Sequence, residues 1–435
     1  MISKRYIEES FPVKEVSKES AKEKNIRHGH ISTLHIWWAR RPLASSRATA
    51  YAALIPAAKN AEEWNKKRNF IIELCKWENS LNKKLIEKAR KDILEANGGK
   101  APKILDPFAG GGAIPLEALR LGCETYASDY NPVAVLIEKC TLEYPQKYGE
   151  KLVKDVKKWG EWVLEEAKKE IGKFYPNDKE EKKTHFGNSI EENIPVGYIW
   201  ARTIKCQNPK CEAEIPLMRQ FWLAKKENKK VALEFVVRNK NIDFKIVDVP
   251  LNWVCKKVGK YCNCKYCKGT VRDAIATCPV CGGVIDDKTV RKLFQQGKAG
   301  QRMIAVVLHN PNKQGKFYRL ATEKDLEVFK EAEKYLEEKR AKLMEEWGFD
   351  PVPDESMPPK ETLGFRVQRY GMTKWGDLFN SRQKLALITF VEKVRQAHEK
   401  MIEEGYEEDY TKAVATYLAL ILDRQIEQNS TICIW

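Results

Sequence analysis

The feature that most constrains this chain is a strand, a glycine-rich turn and a helix in immediate succession. Lys103-Ile104-Leu105-Asp106 reads as a short apolar strand ending in an acid, Pro107 to Gly112 as a turn, and Ala113 to Gly122 as a helix with apolar spacing. Consecutive glycines let backbone N–H groups approach a ligand, and the helix N-terminus behind them adds a favourable dipole, so the turn is a cradle for a nucleotide-like cofactor. No Gly-Lys-Ser/Thr follows and the spacing is not Gly-x-Gly-x-x-Gly, which excludes the two commonest phosphate loops. Glu124 to Asp129 reads as a second strand and Pro132 to Cys140 as a second helix. This places Asp129 17 residues beyond Gly112, about where such a fold presents a carboxylate to ribose hydroxyls. The β-α-β-α alternation predicts an α/β fold, the opening of a doubly wound sheet.

Asp106-Pro107-Phe108-Ala109-Gly110-Gly111-Gly112 resembles the first motif of amino-group DNA methyltransferases, the loop that holds the methionine end of S-adenosylmethionine. Asp129, Tyr130 and Asn131, followed by Pro132, resemble the segment after the second strand of the same enzymes, and His35 to Arg47 resembles the block that precedes the loop. Together with Tyr198 to Thr203, the pairs Cys206/Cys211 and Cys278/Cys281, and Gly371 to Gln383, these segments resemble the adenine-specific DNA methylases containing a zinc ribbon. The resemblance implies a Rossmann-like, S-adenosylmethionine-dependent methyltransferase fold with an inserted zinc-ribbon β module and helical additions. It further implies methyl transfer to adenine N6, with Asp106 to Gly112, Asp129, Tyr130 and Asn131 holding the cofactor.

Twelve cysteines without an export signal or a run of about twenty apolar residues point to metal ligands in a cytoplasmic chain, and not to disulfides or a membrane span. Eight of the twelve lie between Cys206 and Cys281. Cys206-x4-Cys211 and Cys278-Pro-Val-Cys281-Gly-Gly are two knuckles that can hold one tetrahedral zinc ion. Cys264-x2-Cys267, with Cys255 and Cys262, supplies a second site; alternatively Cys264/Cys267 pair with Cys278/Cys281. Four thiolates leave no position for water, so either arrangement is structural. His28, His30 and His35 lack a cysteine partner nearby and are not read as ligands.

The formal charge of +16 lies in the same region. Residues 201 to 320 hold 25 lysines and arginines against 9 acids, leaving 52 of each sign elsewhere. A high lysine and glutamate content raises both signs together, so it does not account for a surplus confined to one segment. The surplus predicts contact with a phosphate backbone, most simply double-stranded DNA. Trp37-Trp38-Ala39-Arg40-Arg41 reads either as a base-stacking and phosphate-clamping cluster or as a core tryptophan beside arginines held by carboxylates.

Five segments are expected: a helical region (1–100), the cofactor half-domain (101–200), the basic zinc insert (201–320), a charged helix with a Pro-rich linker (321–362) and a helical region (363–435). Amino-methyltransferases also need Asp/Asn/Ser-Pro-Pro-aromatic, whose polar groups orient the target amine while its ring stacks on the flipped base. Met357-Pro358-Pro359-Lys360, Asn131-Pro132-Val133 and Asp350-Pro351-Val352 each lack part of it. In the resembling family that motif lies beyond the point corresponding to Trp435. The expectation is therefore a cofactor-binding portion, inactive alone, that meets a catalytic methyltransferase partner. An RNA base methyltransferase and a non-catalytic nucleic-acid-binding subunit are the alternatives.

Overall fold

A computed structural model describes residues 4–26, 28–184, 187–255, 257–258, 261–262, 264–360, 362–364 and 366–433. The chain divides into two units, Met1–Glu166 with Phe390–Gln428, and Ala167–Thr389 with Asn429–Trp435, whose boundaries cut across the expected segments 101–200 and 363–435.

In the first unit α1 (Tyr6–Glu9), α2 (Val13–Glu23), α3 (Leu43–Leu54), α4 (Ala61–Cys75) and α5 (Lys83–Ala96) precede the strand–turn–helix. The Ala-rich α3 is central. Ala48 and Ala52 are fully buried, and Tyr6, Ile71, Leu74, Ile93 and Ala118 share their core. Its first turn is capped from a distance: the Glu23 carboxylate accepts the Leu43 and Ala44 N–H groups at 2.8 Å each, satisfying donors a helix start leaves open. Burial works to raise the Glu23 carboxyl, but hydrogen bonds from His30 and from these two N–H groups hold it below its usual range. His30 bonds Glu23 through Nε2 at 2.8 Å, while its Nδ1 meets Arg40 at 2.6 Å and the Ser32 N–H at 3.1 Å. Nδ1 thus faces two donors, and Nε2 faces the carboxylate.

β1 (Lys103–Asp106) pairs in parallel with β2 (Glu124–Ala127) across α6 (Ala113–Arg120), and α7 (Pro132–Glu138) follows. The strand alternation decides which face is covered. Ile104 packs into the helical core, whereas Leu105 and its register partner Tyr126 are 68% and 50% exposed. A π turn, Lys139–Glu143, leads into α8 (Tyr144–Ile171), which kinks at Gly149. Trp159, Leu152 and Val163 of α8 pack with Met401, Tyr410 and Val414 from the helical residues 390–428.

The second unit is mainly antiparallel. β3 (Asp178–Thr184), β4 (Gly187–Lys205) and β5 (Glu214–Leu217) are followed by a three-stranded meander of β6 (Trp222–Lys226), β7 (Lys229–Arg238) and β8 (Asn241–Asp248). After β9 (Lys257–Val258) and β10 (Tyr261–Cys262) come β11 (Val271–Arg272), β12 (Ile275–Thr277), β13 (Val284–Ile285), α9 (Asp287–Gln295), β14 (Gly300–His309) and β15 (Lys316–Leu320). β15, β14, β4 and β3 form one sheet in that order, with β5 also on β4. β4 begins eleven residues before the expected Tyr198. Pro195 and Gly197 lie in this early part, and the register shifts beside them, where a bulge accommodates residues that ordinarily interrupt a strand.

α10 (Glu323–Trp347) has the expected bounds, closed by the Thr322–Asp325 capping box and by Gly348 in the left-handed region. The stretch expected to be a linker is tied down: Asp350 pairs with Arg340, Val352 and Met357 are buried, and Met357 N–H donates to Thr373.

The strongest electrostatic constraint of the first unit joins α3 to α6. Arg47 donates to Glu117 at 2.7 Å and to the Leu74 carbonyl at 2.8 Å, and Arg120 meets the other Glu117 oxygen at 2.8 Å. Arg47 and Glu117 are essentially without solvent contact. Removing one partner strands a buried charge, so Glu117→Ala is expected to cost about 3–5 kcal/mol. The double replacement Arg47→Met/Glu117→Leu should cost markedly less; denaturant midpoints of the three proteins check this.

Candidate cofactor site and cysteine centres

The turn after β1 is held by its own backbone and by one acid. Ala109 N–H donates to Ser128 at 3.0 Å, Ser128 N–H to Asp106 at 3.0 Å, and Gly112 N–H to Ala109 at 2.9 Å. Asp129 bridges two segments: one carboxylate oxygen accepts Gly110 N–H at 2.9 Å, and the other accepts Asn131 N–H at 2.8 Å. Asn131 in turn caps α7 by accepting Val133 N–H, with Pro132 at the first helical position. Asp106 accepts Phe108 N–H at 3.2 Å. Gly110 and Gly112 have φ of +55° and +71°, the region glycine favours. Gly111 N–H has no acceptor among the described residues. Asp106 to Gly112 and Asp129 to Asn131 are thus one local constellation. Pro107 and the rings of Phe108 and Tyr130 lie on its exposed side, Tyr130 at 99% exposure.

Two further side chains complete the constellation. Trp37 lies on the glycines: a Cβ on Gly110 would stand 2.6 Å from its Nε1, and one on Gly111 would stand 3.3 Å from its Cβ. Trp38 stacks on Trp37 with ring centres 4.3 Å apart and faces solvent. Trp37 is therefore a packing partner of the loop, and Arg40 is engaged by His30. The second is Glu138, at the end of α7. Its Cγ lies 3.6 Å from where a Gly112 Cβ would be; the residue is 6% exposed, and one carboxylate oxygen has no hydrogen-bond partner. Burial, then Asp129 and Asp106, push its carboxyl up to about 7. Sequence reading passed over Glu138, although it falls four residues after the buried Ala134, on the inward stripe of α7.

The eight clustered cysteines form two groups of four. Cys206, Cys211, Cys278 and Cys281 converge, with Sγ separations of 3.6 Å (Cys206–Cys281) and 3.8 Å (Cys211–Cys278). Each pair sits in a hairpin turn, β4–β5 and β12–β13. The residue after each second cysteine, Glu212 and Gly282, has positive φ. Gly283 N–H points at Cys281 Sγ at 3.4 Å. Cys255, Cys262, Cys264 and Cys267 form the other group, with Cys255 3.6 Å from Cys264 and 3.8 Å from Cys267. Grouping of Cys264/Cys267 with Cys278/Cys281 does not occur. Cys75, Cys123, Cys140 and Cys433 are separate and unpaired. No described helix is long and apolar enough to cross a membrane.

Comparison with known proteins yields two family matches. Residues 10–77 match a family of proteins of unknown function, DUF1156, and residues 80–216 match the D12 class of N6 adenine-specific DNA methyltransferases. No curated protein and no solved structure matches the chain significantly. The second match contains the strand, the glycine turn, Asp129 and Glu138, and it spans about a third of the chain. Residues 80–216 are thus similar to the D12 class of N6 adenine-specific DNA methyltransferases, and residues 10–77 before them to the DUF1156 family.

Proposed function

We propose that this chain is the cofactor-binding half of an S-adenosylmethionine-dependent methyltransferase acting on adenine N6 in DNA. The observation that carries the reading is the buried, incompletely bonded Glu138 beside Asp106 and Asp129. An unpaired carboxylate costs free energy in a buried site unless a cation neutralises it. S-adenosylmethionine carries two cationic centres, an ammonium and a sulfonium, and a single carboxylate, so the donor set fits this cofactor better than a polyphosphate. Bound, it would supply an electrophilic methyl group.

The chain's own residues then bind and orient. Asp106 and Glu138 face the cationic end, and Gly111 N–H is available for the carboxylate. Asp129 keeps lone pairs for ribose hydroxyls while it holds the Gly110 and Asn131 N–H groups. Phe108 and Tyr130 offer exposed rings against which an adenine can stack. The open face at Leu105 and Tyr126 supports a further step. Parallel sheets are covered on both faces, and the cover would be a catalytic half bearing Asn/Asp-Pro-Pro-Tyr. The aromatic of that motif would stack on the extruded adenine. Radiolabelled methyl transfer with such a half added, to duplex DNA and to RNA of the same sequence, tests the assignment. Incorporation into RNA alone, or none at all, overturns it.

Glu138→Gln separates binding from stability. A carboxyl raised from an ordinary 4.5 to about 7 in the folded protein contributes stability that is complete below about 4.5. That contribution is lost as pH rises through 7. At pH 8 the glutamine variant should therefore unfold at a higher denaturant concentration than the wild type. It should also bind S-adenosylmethionine more weakly by calorimetry. Wild-type affinity should fall between pH 8 and pH 6, and that dependence should flatten in the variant. Unchanged affinity at pH 8 would remove Glu138 from the site.

The two cysteine groups are proposed as structural zinc sites, the first a zinc ribbon between two hairpins. Four thiolates about 2.3 Å from a tetrahedral ion lie roughly 3.8 Å apart, close to the separations of 3.6–3.8 Å in both groups. A disulfide needs about 2.05 Å. Atomic absorption should count two zinc ions per chain, and Cys278→Ser should leave one. A count of one in the wild type would reject the second site.

A further inference from the structure

A cavity of about 780 Å³ in the second unit opens beside the second cysteine group and is rich in cations. Arg202 on β4, Arg219 after β5, and Lys225 on β6 line it together with Arg272, against a single acid, Asp273. Arg202 and Arg219 have no carboxylate partner among the described residues. Burial holds the Arg202 guanidinium below its usual range, with no neighbouring charge to offset it. Three other arginines of the unit are paired: Arg319 with Asp178 and Asp325, Arg340 with Asp350, and Arg302 with Asp243. The contrast is informative, because a desolvated guanidinium left without an acid is costly unless an anion arrives.

Apart from Gln220, Cys262 and Cys267, the rest of the wall is apolar and aromatic. Phe294 and Tyr370 meet edge to face with ring centres 5.4 Å apart. The lip is the two-residue turn between β11 and β12, where Asp273 and Ala274 have φ of +49° and +65°. These are the values that a two-residue type I′ hairpin turn requires. Planar donors beside aromatic rings match one ligand class, an unstacked nucleotide with its phosphate. The volume lies within the range of pockets that enclose such a unit.

We infer that this cavity is a DNA-gripping site, in which Arg202 and Arg219 hold backbone phosphate and the Phe294–Tyr370 pair receives an unstacked base. The site is remote in sequence from the cofactor loop, and it deepens the DNA-methyltransferase reading by assigning the grip on DNA to particular residues.

Fluorescence anisotropy with a labelled DNA oligonucleotide over a series of salt concentrations tests it. The full-length, zinc-loaded wild type is compared with Arg202→Gln/Arg219→Gln and with a control of equal charge loss, Lys205→Gln/Lys226→Gln, outside the cavity. The arginine variant should lose about tenfold or more in affinity, and its logarithmic salt slope should fall by roughly two. The control should lose less than half as much. Zinc content and S-adenosylmethionine affinity are measured on all three proteins. Equal losses in the two variants overturn the site. So does wild-type binding of deoxyadenosine monophosphate as tight as that of the oligonucleotide, which would mark a small-molecule pocket. So too does a loss seen with RNA and not with DNA. Failure to bind S-adenosylmethionine in the wild type would instead count against the methyltransferase reading and leave the DNA result standing.

Discussion

Glu117 sits without solvent in the helix that follows the glycine turn, and its charge is tolerable because Arg47 and Arg120 both donate to it. Arg47 also reaches the end of α4 through the Leu74 carbonyl, so one guanidinium fixes three helices. This constraint sets where α3 lies, and α3 sets where the segment before it can go. That segment delivers Trp37 onto Gly110 and Gly111. The glycines are consequently required twice: by positive φ at Gly110 and Gly112, and by the indole that leaves no room for a Cβ at Gly110. The two matched segments share one core, with Ala48 and Ile71 from residues 10–77 packed with Ala118 and Leu121 from residues 80–216.

Much of this was legible in the sequence, for local reasons. β1, α6 and β2 are bounded by Asp, Gly and Pro signals that act over a few residues, and the capping box and Gly348 did the same for α10. The paired cysteines announced themselves by spacing. What escaped depends on contacts distant in sequence. Trp37 approaches the loop from more than seventy residues away, and its pattern alone did not separate stacking on a base from packing on glycines. Glu138 was passed over because its burial comes from Gly112 in the loop, more than twenty residues away. For Cys264 and Cys267 the spacing left two pairings open, and the fold selects the one with Cys255 and Cys262. The early part of β4 was hidden by proline and glycine, which a bulge absorbs.

The two halves of the electrostatics answer different ligands. Around the glycine turn the ionisable groups are Asp106, Asp129 and Glu138. That set attracts a cationic cofactor and repels a polyanion at short range. A DNA-modifying chain built this way needs its grip on phosphate elsewhere. On the proposed reading, the surplus of sixteen positive charges between residues 201 and 320 supplies it; there Arg291, Arg302 and Arg319 pair with acids, whereas Arg202 and Arg219 have no carboxylate partner among the described residues. The cysteine groups explain how such a density of like charge can be held in a small antiparallel unit. Eight thiolates closing on two ions would fix the hairpins that carry the arginines, and so offset their mutual repulsion with coordination bonds.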